Sequence, residues 1–194
     1  MKYDAAIKYF ENEDYYRSTV LFEEIMPYIR GSREAEQAQF YNAYAHYYQK
    51  DYLLSSHYFQ TFFETYNRSE FAEEALYMYA FSLYRQSPNY NLDQTSTMEA
   101  IEAIQVFLNR YPASEYRDDA AKIMVELMDK LERKAFENAR LYYDLGYLKS
   151  AIICFDNFQK DYPDSQWNEE VAFFMVEAAY RYAQSSIPSK QKER

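Results

Sequence analysis

Glycine and proline are scarce: two Gly (Gly31 and Gly146) and five Pro in 194 residues. A β-rich chain of this length needs turn residues every few positions, so the scarcity excludes sandwiches and barrels and leaves helix. The single cysteine, Cys154, excludes an intrachain disulfide and is silent about compartment. No apolar run approaches the roughly 18 residues that a membrane span requires, and Met1 leads straight into an amphipathic stretch rather than a secretory signal. Clustered positive charge is missing too. The net charge is −10, and no Lys/Arg run precedes Lys190 to Arg194. Neutralising phosphates takes clustered Lys and Arg, so nucleic acid is excluded as a partner. Acidity suits solubility and neutral or basic protein partners.

The residues that carry chemistry are also sparse. No Gly-rich loop is present to cradle a phosphate. His46 and His57 lie eleven apart on two helices of one hairpin, short of the three or four convergent ligands a metal needs. The acidic pairs Glu23-Glu24, Glu73-Glu74, Asp118-Asp119 and Glu169-Glu170 fall at helix starts or on solvated faces. A glycosidase would set two carboxylates against each other across a cleft. Cys154, in SAIICFDNF, falls on a buried stripe and reads as a small core hydrophobe. The sequence therefore reads as a non-enzyme with no catalytic residue, no metal and no cofactor.

What is abundant is aromatic: 24 Tyr and 14 Phe. A ten-residue phrase recurs three times, as YNRSEFAEEA from Tyr66, YPASEYRDDA from Tyr111 and YPDSQWNEEV from Tyr162. Each has a Tyr, a Ser three later, an aromatic two after that, and an acidic pair. Pro112 and Pro163 stop a helix. Ser69, Ser114 and Ser165 are placed to cap the next helix through their hydroxyls, with the acids in its first turn where the helix dipole favours them. A recurring restart signal marks a repeat protein.

A second pattern sets the period. The small residues Ser18, Ser55, Ala100 and Ala151 are each followed four later by a large apolar residue (Phe22, Phe59, Ile104, Phe155) and seven later by another (Ile25, Phe62, Phe107, Phe158). These anchors stand 37, 45 and 51 residues apart, a 34-residue helix-turn-helix unit with insertions. Ala6, Ala43 and Ala139 lie twelve before their anchors, and Ala80 is the displaced equivalent; small residues there let helices approach closely. Gly146 is placed to close a helix in the left-handed conformation.

The expected fold is all-α: a tetratricopeptide-like α-solenoid of helical hairpins, about ten helices in a right-handed superhelix. The expected helices are 2–12, 15–29, 33–49, 53–66, 69–86, 97–110, 115–131, 133–144, 148–161 and 166–184. Residues 120–139 hold no breaker, so the pair meeting there is nearly continuous. The chain forms a single array, with units at about 2–31, 32–67, 68–112 and 115–163, a partial unit at 165–184 and a polar tail at 185–194. The interval 87–96 is a loop, and Ser96 to Glu99 a capping box. The last helix carries Val171, Phe174, Val176 and Ala178 on a face with no following helix, where a solenoid end should be polar, so a truncated C-terminus is expected.

In such arrays the first helix of each unit lines the concave side. That register gives Tyr3, Ile7 and Phe10 in the first unit, Phe40, Tyr44 and Tyr48 in the second, and Tyr77, Phe81 and Arg85 in the third. Phe40, Tyr44, Tyr48, Tyr77, Phe81 and Arg85 are the candidate groove for a peptide with aromatic side chains.

The phrases DYYRSTVLFEEIMPYIRGS, YNRSEFAEEALYMYAFSLYRQ, LDQTSTMEAIEAIQVFLNRYPASEY and DKLERKAFENARLYYDLGYLKSAIICFDNFQKDYPDS resemble the outer-membrane assembly lipoprotein BamD family. The Leu92–Thr95 loop with Ala100-Ile101 is the most specific match, and the likeness runs from about residue 3 to 184. The resemblance implies a periplasmic scaffold and recognition lipoprotein of the β-barrel assembly machinery, held by lipid to the outer membrane. The implied partners are unfolded outer-membrane proteins, at the N-terminal repeats, and a periplasmic domain of BamA, at the C-terminal repeats. It further implies a signal peptide and lipidated cysteine before Met1, so that the membrane is met only through that anchor, and a final helix after residue 184. The alternative reading is an unrelated tetratricopeptide adaptor binding a peptide or protein partner.

Overall fold

The computed structural model describes residues 2–186. It is all-helical, with nine helices and no strand among the described residues. They are α1 (Lys2–Glu11), α2 (Tyr15–Ile29), α3 (Arg33–Tyr48), α4 (Tyr52–Thr65), α5 (Ala72–Gln86), α6 (Thr95–Arg110), α7 (Arg117–Asp144), α8 (Leu148–Asp161) and α9 (Asn168–Gln184). Consecutive helices pack against one another from α1 through α6, and α8 packs on α9, as in a tetratricopeptide-like solenoid of hairpins. The expected count of ten falls to nine because 115–131 and 133–144 are one helix of 28 residues. Nothing in that run breaks the hydrogen-bond ladder, and Arg133 pairs with Glu137 one turn on. Pro188 and the Lys190–Arg194 run lie outside the described residues.

The periodic small and large residues are the core. Ser18, Ser55, Ala100 and Ala151 are fully buried, as are Phe22, Phe59 and Phe155, with Ile104 all but so. Ile25, Phe62, Phe107 and Phe158 follow them inside, and so do Ala6, Ala43, Ala80 and Ala139. The close approach is direct: the Ser18 hydroxyl donates to the Ala6 carbonyl at 3.0 Å, and Ser55 meets Ser82 at 3.0 Å.

Two compact units are present. The first comprises the chain up to Pro88 with Asp93–Leu127, and the second Asn89–Leu92 with Met128 onward. The first has one core around α1 and α2 (Ala6, Phe22, Ile25, Ala38) and a larger one running from Phe40 to Leu127. The second is built on Phe136, Ala139, Tyr143, Ala151, Phe155, Phe158 and Val171. Its loop residues are held to α7: Arg133 lies 4.2 Å over the Tyr90 ring, and Lys134 donates to the Leu92 carbonyl.

Three local expectations shift. Ser69, Ser114 and Ser165 accept from the amide two residues on, at 3.0, 3.1 and 3.0 Å, and the α-helix begins three residues after each Ser. The serines thus close a preliminary turn instead of capping the helix. The loop after α5 is shorter than expected: α6 starts at Thr95, whose amide is taken by Asp93 at 3.0 Å, so Ser96 is not its cap. Cys154 is half-buried against the second core, not sealed within it.

Candidate functional site

The recurring phrase is a joint between repeats, built from three contacts. First, its Tyr packs on the Phe four residues earlier: Phe62–Tyr66, Phe107–Tyr111 and Phe158–Tyr162, with centroids at 5.2, 5.9 and 5.2 Å. Second, its aromatic stacks on the residue three before the helix Ala of the preceding hairpin. The pairs are Phe40–Phe71 at 4.7 Å, Tyr77–Tyr116 at 4.5 Å and Phe136–Trp167 at 5.4 Å, all within 26° of parallel. Third, in two joints the second acid accepts a phenol proton: Tyr44 donates to Glu74 and Tyr77 to Asp119. Burial, then the hydrogen bond to the carboxylate, raises both phenol pKa values well above the ordinary tyrosine range. The linker before α3 has no aromatic, and there Tyr3 instead donates to Gln37 at 2.8 Å.

The six candidate groove residues divide accordingly. Phe40 and Tyr77 are buried, at 5 % and 8 % exposure, as the lower rings of two joints. Tyr44 and Phe81 are half-buried, while Tyr48 (48 %) and Arg85 reach solvent. Tyr44, Tyr48 and Phe81, joined through Tyr47, form a continuous aromatic surface over α3 and α5. Tyr48 stacks on Tyr44 at 5.8 Å and on Tyr15 at 4.8 Å. Tyr47 joins Tyr48 to Phe81, which stacks on Tyr77 at 5.7 Å. Arg85 lies 5.2 Å over the Tyr52 ring and donates to its hydroxyl at 3.0 Å. The surface offers ring faces and one anchored guanidinium, which suits aromatic and carboxylate groups.

Sequence reasoning missed Asn42 behind α3, and weighed His46 there only against a metal site. Asn42 and His46 are buried one turn apart, and neither Asn42 Oδ1 nor His46 Nε2 has a hydrogen-bond partner. His46 stacks on Tyr58 at 5.0 Å with Glu23 3.8 Å away. Burial lowers its pKa, opposed by the charges of Asp51 and Glu23. His57 is exposed. The only sequence signal was two polar residues on the buried side of a helix whose other inward positions are Ala and Phe.

A second apolar surface lies in the second unit, around the α7–α8 turn. Leu141, Leu145, Tyr147 and Ile153 are all more than half exposed. On α9, Val171 and Ala178 are sealed while Val176, with Phe173 and Tyr180, faces solvent.

Paired helices with a small-residue seam, stacked joints and an aromatic surface define a tetratricopeptide-like repeat protein with no strand among its described residues. Comparison with known proteins narrows the class. The family described as outer membrane lipoprotein (YfiO) matches residues 1–194, and the chain belongs to it. An outer membrane protein assembly factor BamD of Caulobacter vibrioides is 29 % identical over 168 residues, covering 87 % of this chain and 53 % of that protein. Its namesake in Neisseria meningitidis serogroup B is 26 % identical over 182 residues, covering 88 % and 67 %. A putative factor of that name in Aquifex aeolicus is 26 % identical over 173 residues, covering 88 % and 56 %. The chain thus spans between about half and two thirds of the length of these relatives. No helix among the described residues is long and apolar enough to cross a membrane.

Proposed function

We propose that the chain is a scaffold and recognition lipoprotein of the machinery that assembles β-barrel proteins in the outer membrane, acting without catalysis at the periplasmic face. Relatives named as outer membrane protein assembly factors support the setting. The observation that carries the recognition role is the aromatic surface of Tyr44, Tyr48 and Phe81 ending at Arg85. Barrel strands alternate apolar and polar residues and carry aromatic girdles near their ends, and those rings match this surface. Phe40 and Tyr77 support it from below. Affinity is modest, about micromolar, near −8 kcal/mol. Fluorescence anisotropy of a labelled barrel-terminal peptide tests this. Tyr48→Ala with Arg85→Ala, both at exposed positions, should weaken binding about tenfold or more, since interface rings and Arg dominate such energetics; unchanged affinity would overturn it.

The exposed apolar residues at the α7–α8 turn support a second contact, with a periplasmic domain of a BamA-like subunit. Leu145→Asp with Tyr147→Asp should abolish capture of that domain in a pull-down. Retained capture would remove the assignment.

A further inference from the structure

We infer a second binding site, for an extended peptide carrying an apolar side chain, on the far side of α3 from the aromatic surface. Between α2, α3 and α4 lies a pocket of about 740 Å³, within the range of sites that enclose small ligands. Met26, Pro27, Tyr58 and Tyr66 line it. Asn42 also lines it, 1 % exposed, with its Oδ1 unpaired. Leaving a buried carboxamide oxygen unpaired is costly, and a site keeps such a group where a ligand completes it. The Asn42 carboxamide has the shape and polarity of a peptide group, with acceptor and donor side by side, so it matches the main-chain N–H and C=O of one residue. Apolar walls around it accept that residue's side chain. Arg30, Gly31, Thr61 and Thr65 on the margin are exposed, so the pocket opens to solvent and a chain can run through it.

None of the six groove residues lines this pocket, so the inference stands apart from the proposed recognition surface. The probe is N-acetyl-leucinamide, one apolar residue with both peptide groups, titrated into the ¹⁵N-labelled full chain. The expected result is saturable shifts of the Asn42 side-chain amide and of the Thr61 and Thr65 backbone amides, with a Kd of about 1 mM. N-acetylglycinamide, which lacks the side chain, should bind about tenfold more weakly. Asn42→Ala should weaken N-acetyl-leucinamide binding about tenfold. Thr61→Trp, which fills the pocket from its exposed margin, should abolish it and decides the matter alone if Asn42→Ala does not fold. Tyr48→Ala should change nothing. Absence of saturable shifts, equal binding of the two probes, or full binding by Thr61→Trp would overturn the inference. So would loss of binding in Tyr48→Ala, because the probe would then be reading the aromatic surface.

Discussion

Tyr77 shows how much one side chain holds. It stacks on Tyr116, packs against Phe107 and Phe81, and donates to Asp119. Truncating the ring it stacks on, Tyr116→Ala, should cost about 2 kcal/mol, less than a fully buried aromatic because Tyr116 is partly exposed. Urea unfolding should show a lower midpoint with an unchanged slope; a loss below about 0.5 kcal/mol would mean the joint is not structural. The acceptor bonds also give a pH signature. With folded-state pKa values raised at Tyr44 and Tyr77, both phenols keep their protons where the unfolded chain begins to lose them. Their contribution is intact below about pH 10 and drains away as pH rises past it. Thermal melts of Tyr44→Phe plus Tyr77→Phe should therefore fall less steeply between about pH 10 and 11 than those of the parent. His46 works in the opposite direction. Its lowered pKa makes its contribution complete above about pH 6.5 and lost as the solution becomes more acid.

Helix ends and helix continuity decide the next scale. Three hairpin turns close alike, with a left-handed residue at Glu13 (φ 60°), Lys50 (φ 62°) and Gly146 (φ 78°). The following amide in each reaches back five residues, to Tyr9, His46 and Tyr142, at 2.9, 3.0 and 2.9 Å. Glycine takes this conformation freely, whereas Lys and Glu pay a steric cost. Lys50→Gly should therefore stabilise by roughly 0.5–1 kcal/mol and Gly146→Ala destabilise by about 1 kcal/mol, both read from denaturant midpoints. The Gly146 closure was legible in the sequence; the two non-glycine closures were not, because only the fold forces them. Legible too were the helices and core, since a small-to-large spacing of four and seven residues fixes which side faces inward. The start of α5, α7 and α9 was less so. The phrase aromatic turns in to stack on a residue 31 or 39 positions earlier, and the helix begins two or three residues later than the serine signal sets it. Local serine chemistry cannot register it. The continuity of α7 predicts slow hydrogen exchange at the amides of Asp129 to Arg133, as in any helix interior. Fast exchange there would restore the two-helix reading.

At the scale of the whole chain, the groove was readable only as a register. Phe40 and Tyr44 share a face of one helix, yet one is sealed under Phe71 and the other reaches out to Glu74. Spacing along α3 could not separate them, because what covers Phe40 comes from the next hairpin. What survives on the surface, Tyr48 and Arg85 with the rims of Tyr44 and Phe81, is the part on which the proposed recognition role rests. A photo-crosslinking amino acid placed at Tyr48 in living cells tests that claim most directly, with Tyr28, 86 % exposed on α2, as the comparison position. The account predicts that Tyr48, and not Tyr28, captures unassembled outer-membrane barrel proteins. Capture from both positions alike, or from neither, would contradict it.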